Sequence, residues 1–319
     1  MQCWRNSIIN RCFVLAAAIM LVILTGCSGS AGSKLVEGKV NVVTSFYPLY
    51  FLANEIGGDN IHVINLVPAG VEPHDWSPKS RDLDTVSKAQ LFFYNGVGLE
   101  GWVDGFLKGL SKDSQLVTVA ASQDVKLIPA AAGEAGDEEV QDDHKGGVDP
   151  HTWVSPKSMM VMAGTVRDHL KAADPGHAAQ YDGNYQAILN KLAALDDQYE
   201  EKLGAAAHKD IVVSHHAFSY LARDYGLTQL SIMGLSPDAE PKAQDLLKLS
   251  KYVKEHGIKY IFFEELVSDE LARTLAREAD VGTMVLNPVE GLTPEQEKRG
   301  EDYFSLMELN LQNLLQALQ

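Results

Sequence analysis

Short apolar runs alternate along this chain with longer stretches in which apolar residues recur every three or four positions. Val40-Asn41-Val42-Val43-Thr44, Ile61-His62-Val63-Ile64-Asn65-Leu66 and Leu91-Phe92-Phe93-Tyr94 read as early strands, and Ile211-Val212-Val213, Tyr260-Ile261-Phe262-Phe263 and Thr283-Met284-Val285-Leu286 as late ones. Helical patterns lie between them. Because parallel strands need helical crossovers, this order predicts an α/β protein with mostly parallel sheets. Between the two groups, Pro175 opens a segment in which Tyr181, Tyr185, Ile188, Leu189, Leu192 and Leu195 keep helical spacing, with Gly183 the one breaker between Tyr181 and Gly204. One long amphipathic helix is expected over 174–204, about 40 Å long at 1.5 Å per residue and stiff enough to join two lobes. The lobes are expected at 34–173 and 205–319.

Two segments fall outside this rhythm. At the start, Arg5 and Arg11 precede the apolar run Phe13 to Leu24, no acidic residue occurs before position 27, and Leu24-Thr25-Gly26-Cys27 follows. The run is shorter than the roughly 20 residues of a membrane-spanning helix, so residues 1–26 read as an export signal, an uncleaved anchor being the alternative. The small residues before Cys27 resemble the lipobox at which bacterial lipoproteins are cleaved and diacylated on the cysteine. Two acyl chains give stable anchoring, and residues 27–33, rich in Ser and Gly, would then tether the folded part to a membrane. The second segment, 130–147, carries Glu134, Asp137, Glu138, Glu139, Asp142, Asp143 and His144 and should be a disordered acidic loop, either a weak collector of cations or a solvated insertion.

Charge and cysteine content narrow the chemistry. The formal net charge is −16, and loss of Arg5 and Arg11 with the leader would make the mature chain more acidic still, which argues against nucleic acid or an anionic lipid surface as partners. A cation is the natural cargo. Cleavage would also remove Cys3 and Cys12 and leave only Cys27, so no disulfide framework and no thiolate ligand is expected. Ligands for a metal must then be His, Asp or Glu.

Three histidines stand out. His74 lies in Glu72-Pro73-His74-Asp75-Trp76-Ser77-Pro78, and His151 in Asp149-Pro150-His151-Thr152-Trp153-Val154-Ser155-Pro156, a shared grammar of acid, Pro-His, Trp and Ser-Pro. Proline stiffens each turn, and Ser-Pro reads as the cap and first residue of a helix. His215 follows the run Ile211-Val212-Val213, with His216 as its rival because adjacent residues point differently. All would sit beyond the carboxyl ends of strands, where open α/β sheets bind ligands. Imidazole suits zinc and its neighbours in the divalent series. For a fourth ligand, Glu290 on a loop framed by Pro288 and Gly291 is preferred over Glu264 and Glu265. Glu72, Asp75 and Asp149 are candidate acceptors for the second ring nitrogens. His62, His169, His177, His208 and His256 read as packed or exposed rather than liganding.

These turns, with Ser214-His215-His216-Ala217-Phe218 and Asn287-Pro288-Val289-Glu290-Gly291-Leu292-Thr293, resemble the cluster A-I metal-binding lipoproteins of bacterial ABC importers, in particular their zinc-binding branch. The resemblance covers the whole mature sequence. It implies two lobes joined by a rigid helix, a metal held between them, a monomer, and delivery of the metal to a membrane permease. Manganese-binding relatives usually have a carboxylate in place of His215, so three imidazoles favour zinc over manganese. The chain departs from many zinc-binding relatives in having an acidic stretch with His144 alone where they carry a histidine-rich loop, and relatives differ in whether a carboxylate or water completes the shell.

Four protein ligands would close a tetrahedron around zinc and suit carriage. A zinc hydrolase would instead leave one position for water, with Glu290 or Glu265 as general base; no His-Glu-x-x-His or Gly-x-Ser-x-Gly motif is present. A surface adhesin, a role proposed for some relatives, is neither supported nor opposed by these residues. Because a free imidazole titrates near 6.5, metal affinity is expected to fall below about pH 6.

Overall fold

Two four-stranded sheets repeat one topology. The computed structural model describes residues 34–130, 147–238 and 241–319. The first sheet holds β1 (Val40–Thr44), β2 (Ile61–Asn65), β3 (Leu91–Tyr94) and β4 (Val117–Ala120) in the order β2-β1-β3-β4, every pair parallel. The second holds β5 (Asp210–Val213), β6 (Thr228–Ser231), β7 (Tyr260–Phe263) and β8 (Gly282–Val285) in the order β6-β5-β7-β8, again all parallel. The central strands are apolar without alternation because both their faces are covered: Val42, Val43, Phe92, Phe93, Ile211, Val212 and Val213 are all buried. In each sheet the chain reverses direction of winding between the two central strands, which opens a crevice at their carboxyl ends.

The helices are α1 (Tyr47–Gly57), α2 (Ser80–Ser87), α3 (Val103–Gly109), α4 (Pro156–Ala173), α5 (Ala178–Gly204), α6 (Ser219–Tyr225), α7 (Ala243–Glu255), α8 (Glu270–Ala279), α9 (Pro294–Arg299) and α10 (Tyr303–Ala317). Helix α5 is the long connector, preceded by a 3-10 turn at Pro175–His177. It buries Tyr181, Ile188, Leu192, Leu195, Tyr199 and Leu203 against α1 and α4 on one side and α6 and α10 on the other. Asn184 Nδ2 donates to the Ile56 carbonyl of α1 at 3.0 Å, and Tyr199 Oη to the Met307 carbonyl of α10 at 2.7 Å. One apolar cluster therefore runs from Val42 of the first sheet through α5 to Leu314, and residues 35–319 form one unit.

The two Ser-Pro pairs behave differently. Ser155 and Pro156 do open α4, with Ser155 extended at the cap. Ser77 and Pro78 do not open α2, which begins at Ser80. There the Asp82 carboxylate accepts from the Lys79 amide at 2.8 Å, satisfying one of the donors a helix start leaves unpaired and fixing the boundary three residues later. Cys27, His144 and residues 131–146 lie outside the described residues. The ends of that last segment are held side by side, Ala130 N donating to the Gly147 carbonyl at 2.6 Å and Asp149 N to the Ile128 carbonyl at 2.9 Å. Among the described residues no helix is long and apolar enough to cross a membrane.

Candidate metal centre

Every chemically prominent loop leaves the carboxyl end of a strand. His74 lies on the connection from β2 to α2, His151 beyond β4 on the turn into α4, His215 two residues past β5, and Glu290 past β8. One ligand atom from each of these four meets the others within 4.8 Å, and the four side chains are essentially sealed from solvent. His216 is outside this group: its Nδ1 lies 3.2 Å from Ser231 Oγ and its amide donates to the Gly234 carbonyl. His62, His169, His177, His208 and His256 are outside it as well.

The geometry can be compared with that of a tetrahedral ion. A regular tetrahedron has edges about 1.63 times its centre-to-vertex distance, so Zn–N bonds of about 2.0–2.1 Å require donor atoms about 3.3–3.4 Å apart. His151 Nε2 stands 3.2 Å from His74 Nε2 and 3.3 Å from His215 Nε2. Glu290 Oε1 stands 3.6, 3.5 and 3.7 Å from the Nε2 atoms of His74, His151 and His215. The five edges thus lie within about 0.3 Å of a ZnN₃O shell, those to Glu290 being the longer. Both carboxylate oxygens of Glu290 are buried and accept no hydrogen bond among the described residues. A buried carboxylate in that state is costly, and a cation at the centre of the four atoms removes the cost.

The Nδ1 atoms explain why the Nε2 atoms face inward. His151 Nδ1 lies 2.9 Å from Asp149 Oδ1, which also accepts from the His151 amide, and His215 Nδ1 lies 2.7 Å from Glu264 Oε1. A carboxylate that accepts the Nδ1 proton leaves the Nε2 lone pair bare and fixes the ring. Glu264 is therefore an orienting group for His215, held in turn by the Ser214 hydroxyl. Glu265 accepts from Asn287 Nδ2 and Gln296 Nε2, both at 2.7 Å, and so braces the loop that carries Glu290. Of the other proposed acceptors, Glu72 takes the His74 amide at 3.1 Å, while Asp75 is exposed and faces Asp238.

Burial and the packed neighbours split the titrations. Burial lowers the His74 pKa, only partly offset by Glu290, whereas for His151 the same burial is more than offset by Asp149 and then Glu290, which hold it at about 9. Burial works against ionisation of Glu290, but His151, His74 and His215 outweigh it and keep the carboxyl well below its usual range. Glu72 is pushed up to about 11 by burial and by the Glu290 charge. Without metal His151 then holds its proton at neutral pH, between the Asp149 and Glu290 carboxylates.

Backbone detail fixes Glu290. Val289 has φ of 58°, a conformation that costs a β-branched residue about 1–2 kcal/mol, and its amide is captured by Asn287 Oδ1 at 2.7 Å. Asn310 grips the same loop, accepting from the Asn287 amide and donating to the Asn287 carbonyl. Gly70, at φ of 80°, donates its amide to the Leu292 carbonyl at 2.8 Å, tying the His74 loop to the Glu290 loop. A sequence motif gives no sign of Glu264 as the His215 partner, because the two are 49 residues apart; the only cue is an acidic residue directly after a strand.

Comparison with known proteins bears on this arrangement. The sequence profile of the family described as "ZnuA: Zinc-uptake complex component A periplasmic" matches residues 42–317. The chain is 42% identical over 305 residues to a zinc-binding lipoprotein AdcA of Streptococcus pneumoniae, covering 95% of this chain and 60% of that protein. It therefore spans well under two thirds of the length of the AdcA proteins it matches. It is 38% identical to the high-affinity zinc uptake system protein ZnuA of Bacillus subtilis, covering 96% of each. The crystal structure of the Zn(II)-bound ZnuA-like domain of S. pneumoniae AdcA superposes with a TM-score of 0.75 at 42% identity, over 88% of this chain and 99% of that one. A match running from β1 to the end of α10, on this fold, makes the chain a member of the ZnuA zinc-uptake component A family.

Proposed function

We propose that this protein captures Zn²⁺ outside the cytoplasm and hands it to a membrane ABC permease, with His74, His151, His215 and Glu290 as the four ligands. The observation that carries this reading is the buried set of three Nε2 atoms and one Glu290 oxygen close to tetrahedral edge distances. Four protein ligands fill a tetrahedral shell and leave no place for a metal-bound water, which favours carriage over hydrolysis. The names of the relatives, a zinc-binding lipoprotein and a zinc uptake protein, point the same way. A monomer cleaved before Cys27 and lipidated there would keep the site beside its permease.

The test is metal titration of the dialysed protein followed by a crystal structure with anomalous scattering at the zinc edge. The reading requires one tightly held zinc bonded to all four residues. A peak elsewhere, or Mn²⁺ bound in preference to Zn²⁺, contradicts it.

A further inference from the structure

Beside the first sheet lies a half-buried carboxylate that the four-ligand shell does not use. Glu100 Oε1 accepts from the Ser45 hydroxyl at 2.6 Å and the Asn95 amide at 2.7 Å, and Oε2 from the Gly96 amide at 3.2 Å. Ser45 directly follows β1 and Asn95 directly follows β3, so this carboxylate clamps the ends of the two central strands at the crevice. The second sheet has the matching arrangement. There Ser214, directly after β5, donates to Glu264, directly after β7, and that Glu orients the ligand His215.

In the first sheet the clamp reaches a ligand through one more residue. The Asn95 side chain is wholly buried. Its Nδ2 donates to the Pro150 carbonyl at 2.8 Å, and its Oδ1 accepts from Ser122 Oγ at 2.8 Å and Thr152 Oγ1 at 3.1 Å. Ser122 Oγ and Thr152 Oγ1 also lie 2.7 Å apart, so their two protons are shared among these three contacts. The amide thus grips the residue on either side of His151.

We propose that Asn95, held by Glu100 and Ser45, is a positioning residue for His151, the counterpart in one lobe of Glu264 in the other. This rests on the zinc-binding reading above. Burying so many polar groups costs more than filling the space with aliphatic side chains, unless every donor and acceptor is met. Here they are met, and the hydrogen bonds end on Pro150 and Thr152, so what the network fixes is where the His151 Nε2 lone pair points. A tetrahedral shell tolerates little error in that direction.

The experiment compares the full-length protein with Asn95→Asp, Thr152→Val and Thr152→Ser, reading zinc affinity by chelator competition and the visible absorption bands of bound Co²⁺, which report the shape of the shell. Thr152→Val is nearly isosteric and removes only the hydroxyl, so it remains informative even where Asn95→Asp does not fold. Asn95→Asp and Thr152→Val should each weaken zinc binding about tenfold, equivalent to about 1.4 kcal/mol, and shift the Co²⁺ bands. Thr152→Ser should restore both. Wild-type affinity and unshifted bands in folded Thr152→Val overturn the proposal, even if its melting temperature falls. A wild-type protein that takes up neither metal overturns the zinc reading, and the brace with it.

Discussion

The indole Nε1 of Trp153 donates to the carbonyl of Pro288 at 2.7 Å, joining the residue two past His151 to the residue two before Glu290. The Trp153 carbonyl in turn accepts from Tyr303 Oη at 2.9 Å, and Tyr220 Oη donates to the Asp149 carbonyl at 2.8 Å. The His151 turn is therefore held from the second lobe as well as from its own. Trp153→Phe keeps the aromatic edge contact with Phe46 but leaves the buried Pro288 carbonyl without its donor, a loss of about 1–3 kcal/mol. The expected result is a lower melting temperature of the apo protein and several-fold weaker zinc binding. Equal affinity in calorimetry would show that the two loops keep their spacing without this bond.

Removing a ligand has a larger effect than removing a brace. His74→Ala, His151→Ala and His215→Ala should each weaken zinc binding by roughly tenfold or more, since a first bond to the ion is lost outright. Glu290→Gln should do the same, because a neutral amide replaces the anion that offsets the ion's charge. His216→Ala, by contrast, should leave affinity unchanged, its ring being turned toward Ser231. Chelator competition measures all five; wild-type affinity in any one of the first four removes that residue from the shell.

The strands were readable because parallel strands covered on both faces are written as unbroken apolar runs, as in Leu91-Phe92-Phe93-Tyr94 and Tyr260-Ile261-Phe262-Phe263. The connector was readable from its spacing, but its start was not. Asp174 accepts from Tyr181 Oη and pairs with His177 Nδ1, so a 3-10 turn takes up residues 175–177 before α5 begins. Around the candidate metal centre, local motifs mark His74, His151, His215 and Glu290, and they offer Glu72, Asp75 and Asp149 alike as Nδ1 acceptors, of which Asp149 pairs with His151 while Glu72 takes the His74 amide. What local sequence cannot carry is pairing across the fold. Glu264 with His215, Trp153 with Pro288, and Asn95 with Pro150 are joined only by the strand order.

A site remote from the metal tests whether stability and binding separate. Asp280 ends α8 with φ of 59°, in the left-handed region, and its exposed carboxylate sits at the negative end of the helix. Glycine adopts that conformation freely and removes the unfavourable charge. Asp280→Gly should stabilise the protein by about 0.5–1 kcal/mol in denaturant unfolding while leaving zinc affinity as it is. A loss of stability would mean that the Asp280 side chain makes a compensating contact.

Proton competition should set in well above the pH expected from a free imidazole. In the absence of metal His151 is held at about 9, burial being outweighed by Asp149 and Glu290, while burial lowers His74. With the proposed ligand set zinc takes the His151 lone pair, so binding at neutral pH must expel that proton. Affinity should accordingly rise about tenfold per pH unit from about 6.5 toward 9 and level off above it, with close to one proton released per zinc in calorimetry across buffers of different ionisation enthalpy. The same shift acts on folding. Because the folded pKa is raised, its stabilisation of the apo protein is complete below about 6.5 and is lost as the pH climbs through 9. His151 should thus lower the apo melting temperature over that interval, and the zinc-loaded protein, whose His151 carries no proton, should not show this decline. Proton release near zero at pH 7.5 would place the proton on neither His151 nor its neighbours and would remove the electrostatic basis for this profile.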